Sequence, residues 1–337
     1  MRAWRINRGA SSVDDLIMIE HERPTPGPGE VLIRIRACSL NYRDQMILRG
    51  RAPSPTLDSA ITPLSDGAGE VEAIGPGISR IRVGDRVAGL FFQNWRDGPP
   101  NGRPGLALGG PPAKGMLAEY VILPESGVIP IARSLSFEEA ATLPCSGVTA
   151  WNAVMGGHRT IGPGRTVLTM GTGGVSLMAL QLAKAAGARV VATSSSDEKL
   201  VRVRELGADI TLNYRSTPEW GSEIARLLKG GADHIVELGG GGTLSQSINA
   251  VAPAGEIALV GVLDHEGAAN PLRLMFKSAN LRGIAVGSAA MADALSRAID
   301  ACGIRPVIDR IFPFEDAREA YTYQMSSALF GKVVIRV

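Results

Sequence analysis

The sequence predicts an α/β protein of two domains, one rich in β-strands and one built on a doubly wound parallel sheet. Strand-like segments separated by glycine and proline fill about the first 125 residues. From about Leu135 onwards, strand-like and helix-like segments alternate, which is typical of βαβ units around a parallel sheet. A chain of 337 residues, of which 45% are hydrophobic, is long enough for two packed domains.

Each part is predicted from segments taken in chain order. The β-rich part contains four segments with β-branched residues: GEVLIRIRA, GEVEAIG, GDRVAGL and AEYVILP. The alternating part begins with the helical segment SFEEAATLPCSGVTAWNAV and contains the strands TVLTM, RVVATS, ITLNY, HIVELG, EIALVGV and LRGIAVGS. Its other helical segments are SLMALQLAKAAGA, DEKLVRVRELGA, EWGSEIARLLKGG and LSQSINAVAPAG. A last helix, MADALSRAIDACG, and the strands IRPVIDRIFPF and FGKVVIRV resemble the first part again, so we expect the C-terminus to return to the N-terminal domain.

Charge and cysteine content argue against several classes of function. A net charge of +2 without a run of Lys or Arg predicts no nucleic-acid or membrane partner, and we expect small-molecule partners. The three cysteines, Cys38, Cys145 and Cys302, are far apart, so we expect thiols in a reducing compartment. The first residues contain no apolar signal-peptide core, so we expect a cytoplasmic protein. The four histidines have no metal-site spacing with a cysteine, and we expect them at the surface.

The segment TMGTGGVS, residues 169–176, is predicted to form a turn that binds a pyrophosphate. An apolar strand precedes it and an amphipathic helix follows, which is the context that a dinucleotide-binding glycine motif requires. Gly171 permits a tight turn, Gly173 lets backbone N–H groups approach a phosphate, and the helix start offers its positive dipole end. Ser176 takes the place of a third glycine. The predicted cofactor contacts in this turn are Gly171, Thr172, Gly173, Gly174 and Val175.

The residues at the end of the next strand favour NADP(H) over NAD(H). NAD sites usually have an Asp or Glu there, on the ribose 2′-hydroxyl. This sequence has the hydroxyl residues Thr193, Ser194, Ser195 and Ser196. Hydroxyl groups, a helix N-terminus and Lys199 can receive a 2′-phosphate, which a carboxylate would repel. The run SSSDE is also typical of an ordinary helix N-cap. Tyr214 either lies beside the adenine ribose or simply ends the third strand.

Several segments together resemble the medium-chain dehydrogenase/reductase superfamily over essentially the whole chain. They are IRACSLNYRD, LSDGAGEVEAIGPG, RVGDRVAG, LPCSGVTAW, GTGGVSLMALQLAKAAGA, SSDEKL, RELGAD and FGKVVIRV. The resemblance implies a GroES-like catalytic domain from residues 1–125 and 290–337, a Rossmann domain from residues 126–289, a cleft between them, and a homodimer. The chain is most similar to the quinone oxidoreductase-like and zinc-type alcohol dehydrogenase-like branches.

The resemblance also provides a test for zinc. Zinc-dependent relatives have a Cys three residues before the position of Asp44, a His–Glu pair before a GxG, and a Cys before GVT. At these positions this sequence has Asn41, then Ser65 with Asp66, and finally Cys145. The segment WRDGPPNGRPGLALGG lacks the four cysteines that hold a structural zinc in relatives. Catalytic zinc needs three protein ligands, so we predict that no metal is bound.

The segment SLNYRDQ contains the predicted catalytic residues. We expect Asn41 to donate to the substrate oxygen or the nicotinamide ribose, and Tyr42 to orient the substrate or donate a proton. Asp44 either contributes to the chemistry or only holds the loop, and a structural role is equally open for the other two. The predicted substrate-pocket residues are Ser65, Phe92, Trp95 and Cys145, although the aromatic residues are also typical of core packing.

Further cofactor contacts are predicted at the carboxyl ends of later strands, because doubly wound sheets bind ligands there. These residues are Val260, Gly261, Val262, Gly287 and Ser288. The resemblance adds Thr149, Phe330, Gly331 and Lys332.

The predicted function is that of an NADPH-dependent, zinc-free oxidoreductase that transfers hydride to a quinone, an enone or a related carbonyl. Such acceptors delocalise the developing negative charge, so positioned donors and exclusion of water can replace a Lewis acid. Two alternatives stay open. One is an NAD(P)-dependent alcohol dehydrogenase or carbonyl reductase. The other is a nucleotide-binding protein with little catalysis, since the sequence offers no obvious general acid.

Overall fold

The computed structural model describes the chain except residues 52–58, 101–106, 262, 264–266 and 268. The chain divides into two compact units. The first consists of Met1–Val148 and Gly287–Val337, and we call it the split unit. The second is Thr149–Val286, the central unit. The predicted α/β class is confirmed, and the split unit contains residues from both ends of the chain.

The strands and helices of the described residues are numbered in chain order. The strands are β1 (Arg2–Ile6), β2 (Leu16–Glu20), β3 (Glu30–Ser39), β4 (Asp66–Ile74), β5 (Arg86–Gly89), β6 (Tyr120–Pro124), β7 (Val128–Pro130), β8 (Thr166–Met170), β9 (Arg189–Ser194), β10 (Ile210–Asn213), β11 (Ala232–Glu237), β12 (Val251–Leu259), β13 (Asn280–Gly283), β14 (Ile308–Pro313) and β15 (Lys332–Arg336). The helices are α1 (Tyr42–Leu48), α2 (Phe137–Ala140), α3 (Val148–Met155), α4 (Gly174–Ala185), α5 (Asp197–Glu205), α6 (Trp220–Leu227), α7 (Gly241–Ala250), α8 (Leu272–Lys277), α9 (Ala289–Cys302) and α10 (Ala317–Gln324).

The split unit is organised around a seven-stranded sheet. Its strands follow the order β14-β15-β3-β4-β5-β7, and β6 pairs with β3. The C-terminal strand β15 runs antiparallel to β3, with Val334 opposite Ser39. The backbone N–H of Leu40 continues this pairing by donating to Val333 O at 3.1 Å. The start of β15 therefore lies beside the residues that lead into α1.

The central unit contains a six-stranded sheet in which every described pair is parallel. The strand order is β10-β9-β8-β11-β12-β13, so successive strands move outwards in opposite directions from β8 and β11. Strands buried on both faces are rich in Val, Ile and Leu, and the core contains Leu168, Val191, Ile235 and Ile257. The reversal between β8 and β11 is the point where doubly wound sheets bind ligands, at the carboxyl ends of the strands.

The limits of the two units differ from the boundaries predicted at residues 126 and 289. The short strand β7 pairs with β5, which joins residues 128–130 to the sheet of the split unit. The first unit continues to Val148, through α2 and one π-helical turn, Leu143–Gly147. The sequence pattern also did not predict β1 and β2, which form a separate two-stranded sheet.

Residues 166–183 contain no charged side chain, and they form strand β8 and most of helix α4. No helix in the described part of the chain is long and apolar enough to cross a bilayer.

Candidate active site

Helix α1 begins after Asn41, and Asp44 holds its start. A carboxylate oxygen of Asp44 accepts a hydrogen bond from the backbone N–H of Asn41 at 2.7 Å. Burial raises the pKa of the Asp44 carboxyl to about 6, although the guanidinium of Arg43 opposes this shift. Tyr42, the first residue of the helix, is 41% exposed. This contact is the one that the loop-holding alternative for Asp44 describes.

Six residues lie close together in the split unit, and we call them the buried polar cluster: Asn41, Asp44, Ser65, Asp66, Cys145 and Lys332. The Ser65 hydroxyl donates to Asp66 Oδ1 at 2.9 Å, and Asn41 Nδ2 lies 3.4 Å from Ser65 Oγ. The backbone N–H of Cys145 donates to Asp66 Oδ2 at 3.3 Å. The ammonium of Lys332 donates to Asn41 Oδ1 at 2.6 Å. The structure therefore brings together predicted residues from four distant parts of the sequence.

Burial controls the charges in this cluster. Asp66 has no exposed surface, and burial raises the pKa of its carboxyl, while Lys332, Asn41 and Ser65 oppose the shift. Burial, followed by the charge of Asp66, raises the pKa of the Cys145 thiol. A thiol with a raised pKa is a poor nucleophile, which disfavours attack on a substrate by Cys145.

The predicted pocket residues Phe92 and Trp95 belong to a packed aromatic group next to α1. The rings of Phe91 and Phe92 are 4.7 Å apart, and those of Phe92 and Trp95 are 6.0 Å apart. The guanidinium of Arg43 lies 4.8 Å from the centre of the Phe91 ring and donates to Leu108 O at 2.8 Å. Arg43 thus links the aromatic group to the helix that carries Tyr42 and Asp44.

In the central unit, the glycine turn lies between strand β8 and helix α4. Gly171 has φ +73°, which favours glycine, and Gly173 precedes the first turn of the twelve-residue helix α4. A Cβ at either glycine would meet no described atom within 4 Å, so both backbones border open space. The first N–H groups of a helix have no acceptor within it and carry partial positive charge. Thr172, Gly174 and Val175 belong to the same turn.

The turn after β9 is directly connected to the glycine turn. Gly171 N–H donates to Thr193 O at 2.8 Å, and Tyr214 N–H donates to Ser194 O at 3.1 Å. Ser196 is the N-cap of α5, and its hydroxyl accepts from the backbone N–H of Lys199 at 3.3 Å. The structure thus places Ser195, Ser196, Lys199 and Tyr214 near the carboxyl end of β9 and β10, and the hydroxyl run also serves as a helix cap.

Sequence reasoning missed Glu237, which shapes the loop after β11. Its buried carboxylate accepts from Gly239 N–H at 2.8 Å, Gly240 N–H at 3.0 Å and the Thr243 hydroxyl at 2.6 Å. The backbone of Gly261 lies so close to this loop that a Cβ there would be 2.5 Å from Gly240 N. An acidic residue at the end of an apolar strand, followed by four glycines, is the signal that was available.

The remaining predicted cofactor residues lie in both units. Val260 and Gly261 follow β12, both donating to Glu237 O, and Val262 lies outside the described residues. Thr149 lies in α3 and is 4% exposed. In the split unit, Gly287 and Ser288 precede α9, and the Ser288 hydroxyl accepts from Met291 N–H at 3.3 Å. Phe330 is 2% exposed, and Gly331 has φ +98° before Lys332.

The histidines do not all lie at the surface, so that prediction was wrong for His234. This residue is 1% exposed in β11, and its Nε2 lies 2.7 Å from Ala153 O. Burial lowers the pKa of its imidazole. His21 and His158 are more exposed, and His265 lies outside the described residues. Among the described residues, no three His, Cys, Asp or Glu side chains are grouped so that they could hold a metal ion.

The glycine turn, the hydroxyl-lined end of β9 and the sheet reversal define a doubly wound protein of the dinucleotide-binding class. Comparisons with known proteins agree with this class. The family model for the alcohol dehydrogenase GroES-like domain matches residues 27–133, and that for zinc-binding dehydrogenases matches residues 174–301. A zinc-type alcohol dehydrogenase-like protein of Schizosaccharomyces pombe is 44% identical over 336 residues, covering 97% of this chain and 96% of that protein.

Two other relatives have more specific names. A quinone oxidoreductase of Pseudomonas aeruginosa is 29% identical over 327 residues and covers 94% of each chain. A solved structure of an NAD-dependent alcohol dehydrogenase has a TM-score of 0.89 and 35% identity, with 100% of both chains covered.

The chain belongs to the medium-chain dehydrogenase/reductase superfamily and is an oxidoreductase of that superfamily. The GroES-like and Rossmann folds expected from the resemblance are confirmed. Oxidoreductases of this superfamily bind nicotinamide cofactors, and the glycine turn of the central unit fits the pyrophosphate of such a cofactor.

Proposed function

We propose that this protein is an NADPH-dependent reductase that works without zinc and delivers hydride to a quinone, an enone or a related conjugated carbonyl. The observation that carries this proposal is the composition of the buried polar cluster. Asp66 and the thiol residue Cys145 lie next to each other in it, but Asn41 and Ser65 stand at two positions where zinc-dependent relatives have ligands, and Asp44 bonds to the backbone of Asn41. The ammonium of Lys332 is bonded to the Asn41 side chain. A fixed positive charge inside the cluster disfavours a divalent cation by Coulomb repulsion.

The nucleotide preference is proposed from the end of β9. Ser194, Ser195 and Ser196 occupy the region where a carboxylate would receive the ribose hydroxyls of NAD. The first carboxylate that follows these serines in the sequence is that of Asp197, and it accepts a hydrogen bond from Asn213 Nδ2 at 2.9 Å. Hydroxyls and the start of the nine-residue helix α5 suit a 2′-phosphate.

The two units have separate tasks in this proposal. In the central unit, residues 171–175 hold the pyrophosphate through backbone N–H groups, and Ser195, Ser196 and Lys199 receive the 2′-phosphate, while Tyr214 lies beside the adenine ribose. Thr149, Val260, Gly261, Gly287, Ser288 and residues 330–331 flank the nicotinamide. When bound, NADPH supplies the hydride. In the split unit, Asn41, Tyr42, Ser65 and Cys145 border the substrate, Phe92 and Trp95 contribute an apolar wall, and Asp44 positions Asn41.

A second candidate is an alcohol dehydrogenase or carbonyl reductase. It is favoured by the names of two relatives, a zinc-type alcohol dehydrogenase-like protein that is 44% identical and an NAD-dependent alcohol dehydrogenase that is 35% identical. An isolated ketone lacks the conjugation that spreads negative charge, so its reduction depends more strongly on a Lewis acid. The two candidates therefore differ in the acceptor that they reduce best.

The deciding experiment follows oxidation of NADPH and NADH with a para-quinone, an α,β-unsaturated ketone and a saturated ketone of similar size. We expect the highest kcat/KM with NADPH and a conjugated acceptor. Equal or better turnover of the saturated ketone, or a clear preference for NADH, would favour the second candidate. Tight NADPH binding without turnover of any acceptor would contradict both candidate enzyme functions.

We also propose that the protein is a homodimer that associates through β13 and α8. Within the described chain, β13 pairs with β12 only, which leaves an open sheet edge. The nearby helix α8 exposes Phe276 by 81%, Met275 by 61% and Leu272 by 54%. Such a combination of sheet edge and apolar surface suits a second copy of the same chain.

A further inference from the structure

The side chain of Lys332 extends into the buried polar cluster from the first residue of β15. The residue is 5% exposed, and its ammonium donates to Leu40 O and to Asn41 Oδ1. Both acceptors belong to the turn between β3 and α1, which pairs with the start of β15. The position of the ammonium is therefore determined by the pairing of two strands from opposite ends of the chain.

The hydrogen bonds of this ammonium are incomplete. A lysine ammonium has three N–H donors, and two of them have acceptors among the described residues. Both acceptors are uncharged oxygens, and no described carboxylate lies within 4.0 Å of the nitrogen. Asp66, Cys145 and Asp44 act on it from a greater distance. A buried charge with a remaining donor is costly unless another acceptor completes its bonding.

We propose that Lys332 is a catalytic residue, whose ammonium binds the carbonyl oxygen of the acceptor and gives it a proton after hydride transfer. This inference rests on the proposed function and supplies the general acid that the sequence did not reveal. It differs from the role implied by the family resemblance, in which Lys332 belongs to the cofactor site. The substrate oxygen takes the third N–H, and the positive charge stabilises the developing oxyanion.

The proposed step is balanced in atoms and electrons. The β-carbon of an enone gains the hydride, the C=C π electrons move towards oxygen, and an enolate forms. The O–H bond forms as one N–H bond of Lys332 breaks, which leaves an enol and a neutral amine. The enol becomes the saturated ketone, and the amine regains a proton from water. The substrate thus gains one hydride and one proton for each NADPH oxidised.

The acceptor's own chemistry distinguishes this role from a structural one. A para-quinone spreads the charge over an aromatic hydroquinone ring, whereas a simple enone depends more on an external positive charge. For Lys332→Met we expect kcat on the enone to fall by at least about 100-fold, as for the loss of an oxyanion donor, and kcat on the quinone to fall by less than about 10-fold. The Kd for NADPH should stay unchanged.

Two further variants complete the kinetic test. Lys332→Gln keeps a donor to the neighbouring oxygens but removes the charge. It should therefore also lose much more kcat on the enone than on the quinone, and it replaces the Met variant if that variant does not fold. Lys184→Met removes an ion-paired ammonium from the central unit, 2.9 Å from Asp209, and should leave both rates unchanged. Equal losses on both acceptors, or a loss confined to NADPH affinity, would overturn the proposal.

A binding measurement tests Lys332 independently of turnover. We would titrate para-nitrophenol, whose phenolate is yellow, into the complex of the protein with NADP⁺ below the pKa of the free phenol. The wild-type protein should bind the yellow phenolate, and Lys332→Gln should not. No bound phenolate, or equal amounts in both proteins, would overturn the role of Lys332. Absence of wild-type turnover with quinone and enone would instead reject the proposed reductase function.

Discussion

Asp44 carries a cost in stability that depends on pH. Its carboxyl is 1% exposed, and one of its oxygens, Oδ1, has no hydrogen-bond partner in the described structure. Because burial raises its pKa from 3.8 to about 6, the unfolded chain loses this proton at a lower pH than the folded protein does. Stability is therefore lost as the pH rises from about 4 to about 6, and the loss is constant above that range.

We predict that Asp44→Asn removes this pH dependence. The difference in unfolding free energy between the wild type and Asp44→Asn should change by about 2 kcal/mol, against the wild type, between pH 4 and pH 6. Chemical denaturation at several pH values measures the difference, and other titrating groups cancel in it. A difference that is constant over this range would show that Asp44 has an ordinary pKa.

Lys199 provides a prediction for the cofactor. If it contacts the 2′-phosphate, Lys199→Ala should weaken NADPH binding by about 1–3 kcal/mol and NADH binding much less. Fluorescence titration with both cofactors measures the two losses. Lys184→Ala removes another lysine of the same unit, which forms an ion pair with Asp209; it is the control and should affect neither affinity. Equal losses for NADPH and NADH in the Lys199 variant would remove this residue from the phosphate site.

At the residue scale, the sequence indicated which residues belong to the candidate site, but not which other residues they contact. Asn41, Ser65 and Cys145 were predicted as site residues, and the structure brings them together. The contact of Lys332 with Asn41 joins residues 291 positions apart, which no local pattern contains. His234 was misplaced for the same reason, because its neighbour Ala153 lies 81 positions away. Buried polar groups are determined by such distant partners.

At the element scale, the glycine turn can be tested by adding a single methyl group. Gly171→Ala places a Cβ on a residue with φ +73°, which costs about 1–2 kcal/mol of stability. The methyl group also enters the open space that we assign to the pyrophosphate. We therefore predict a loss of at least about 10-fold in affinity for both NADPH and NADH, measured by titration, because the pyrophosphate is common to them.

Gly164→Ala is the matched control for this turn. Gly164 has φ +79°, also meets no described atom within 4 Å, and lies in the turn before β8 at the opposite end of that strand. Both variants should lose similar stability, but only Gly171→Ala should lose cofactor affinity. Similar affinity losses in the two variants would attribute the effect to backbone strain alone.

Elements with strong periodic patterns were predictable, and the shortest strand was not. The long strands β3 and β4 and the helices α4 and α9 correspond to segments recognised in the sequence. Helix α2 lies inside the predicted helical segment SFEEAATLPCSGVTAWNAV, whereas strand β7 has three residues, which is too short for a period to be detected. Their assignment to the split unit depends on pairing with β5 and packing on the sheet. The predicted boundary near residue 126 missed this dependence.

At the scale of the whole molecule, the proposed dimer depends on one surface. Phe276→Glu places a charge on the apolar face of α8, where it would be buried against a second copy. We predict that this variant is monomeric by light scattering coupled to size-exclusion chromatography, whereas the wild type is a dimer. Val83→Glu alters another exposed apolar residue, 61% exposed in the split unit, and should remain dimeric. A dimeric Phe276 variant would exclude α8 from the interface.

The most direct test of the central claim is the metal content of active protein. Purified, dialysed enzyme should contain far less than one zinc per chain, and NADPH-dependent reduction of a quinone or enone should continue after treatment with a strong chelator. The buried polar cluster, with Lys332 bonded to Asn41, predicts this result. One tightly bound zinc per chain, together with activity that is lost on chelation and restored by zinc, would contradict it.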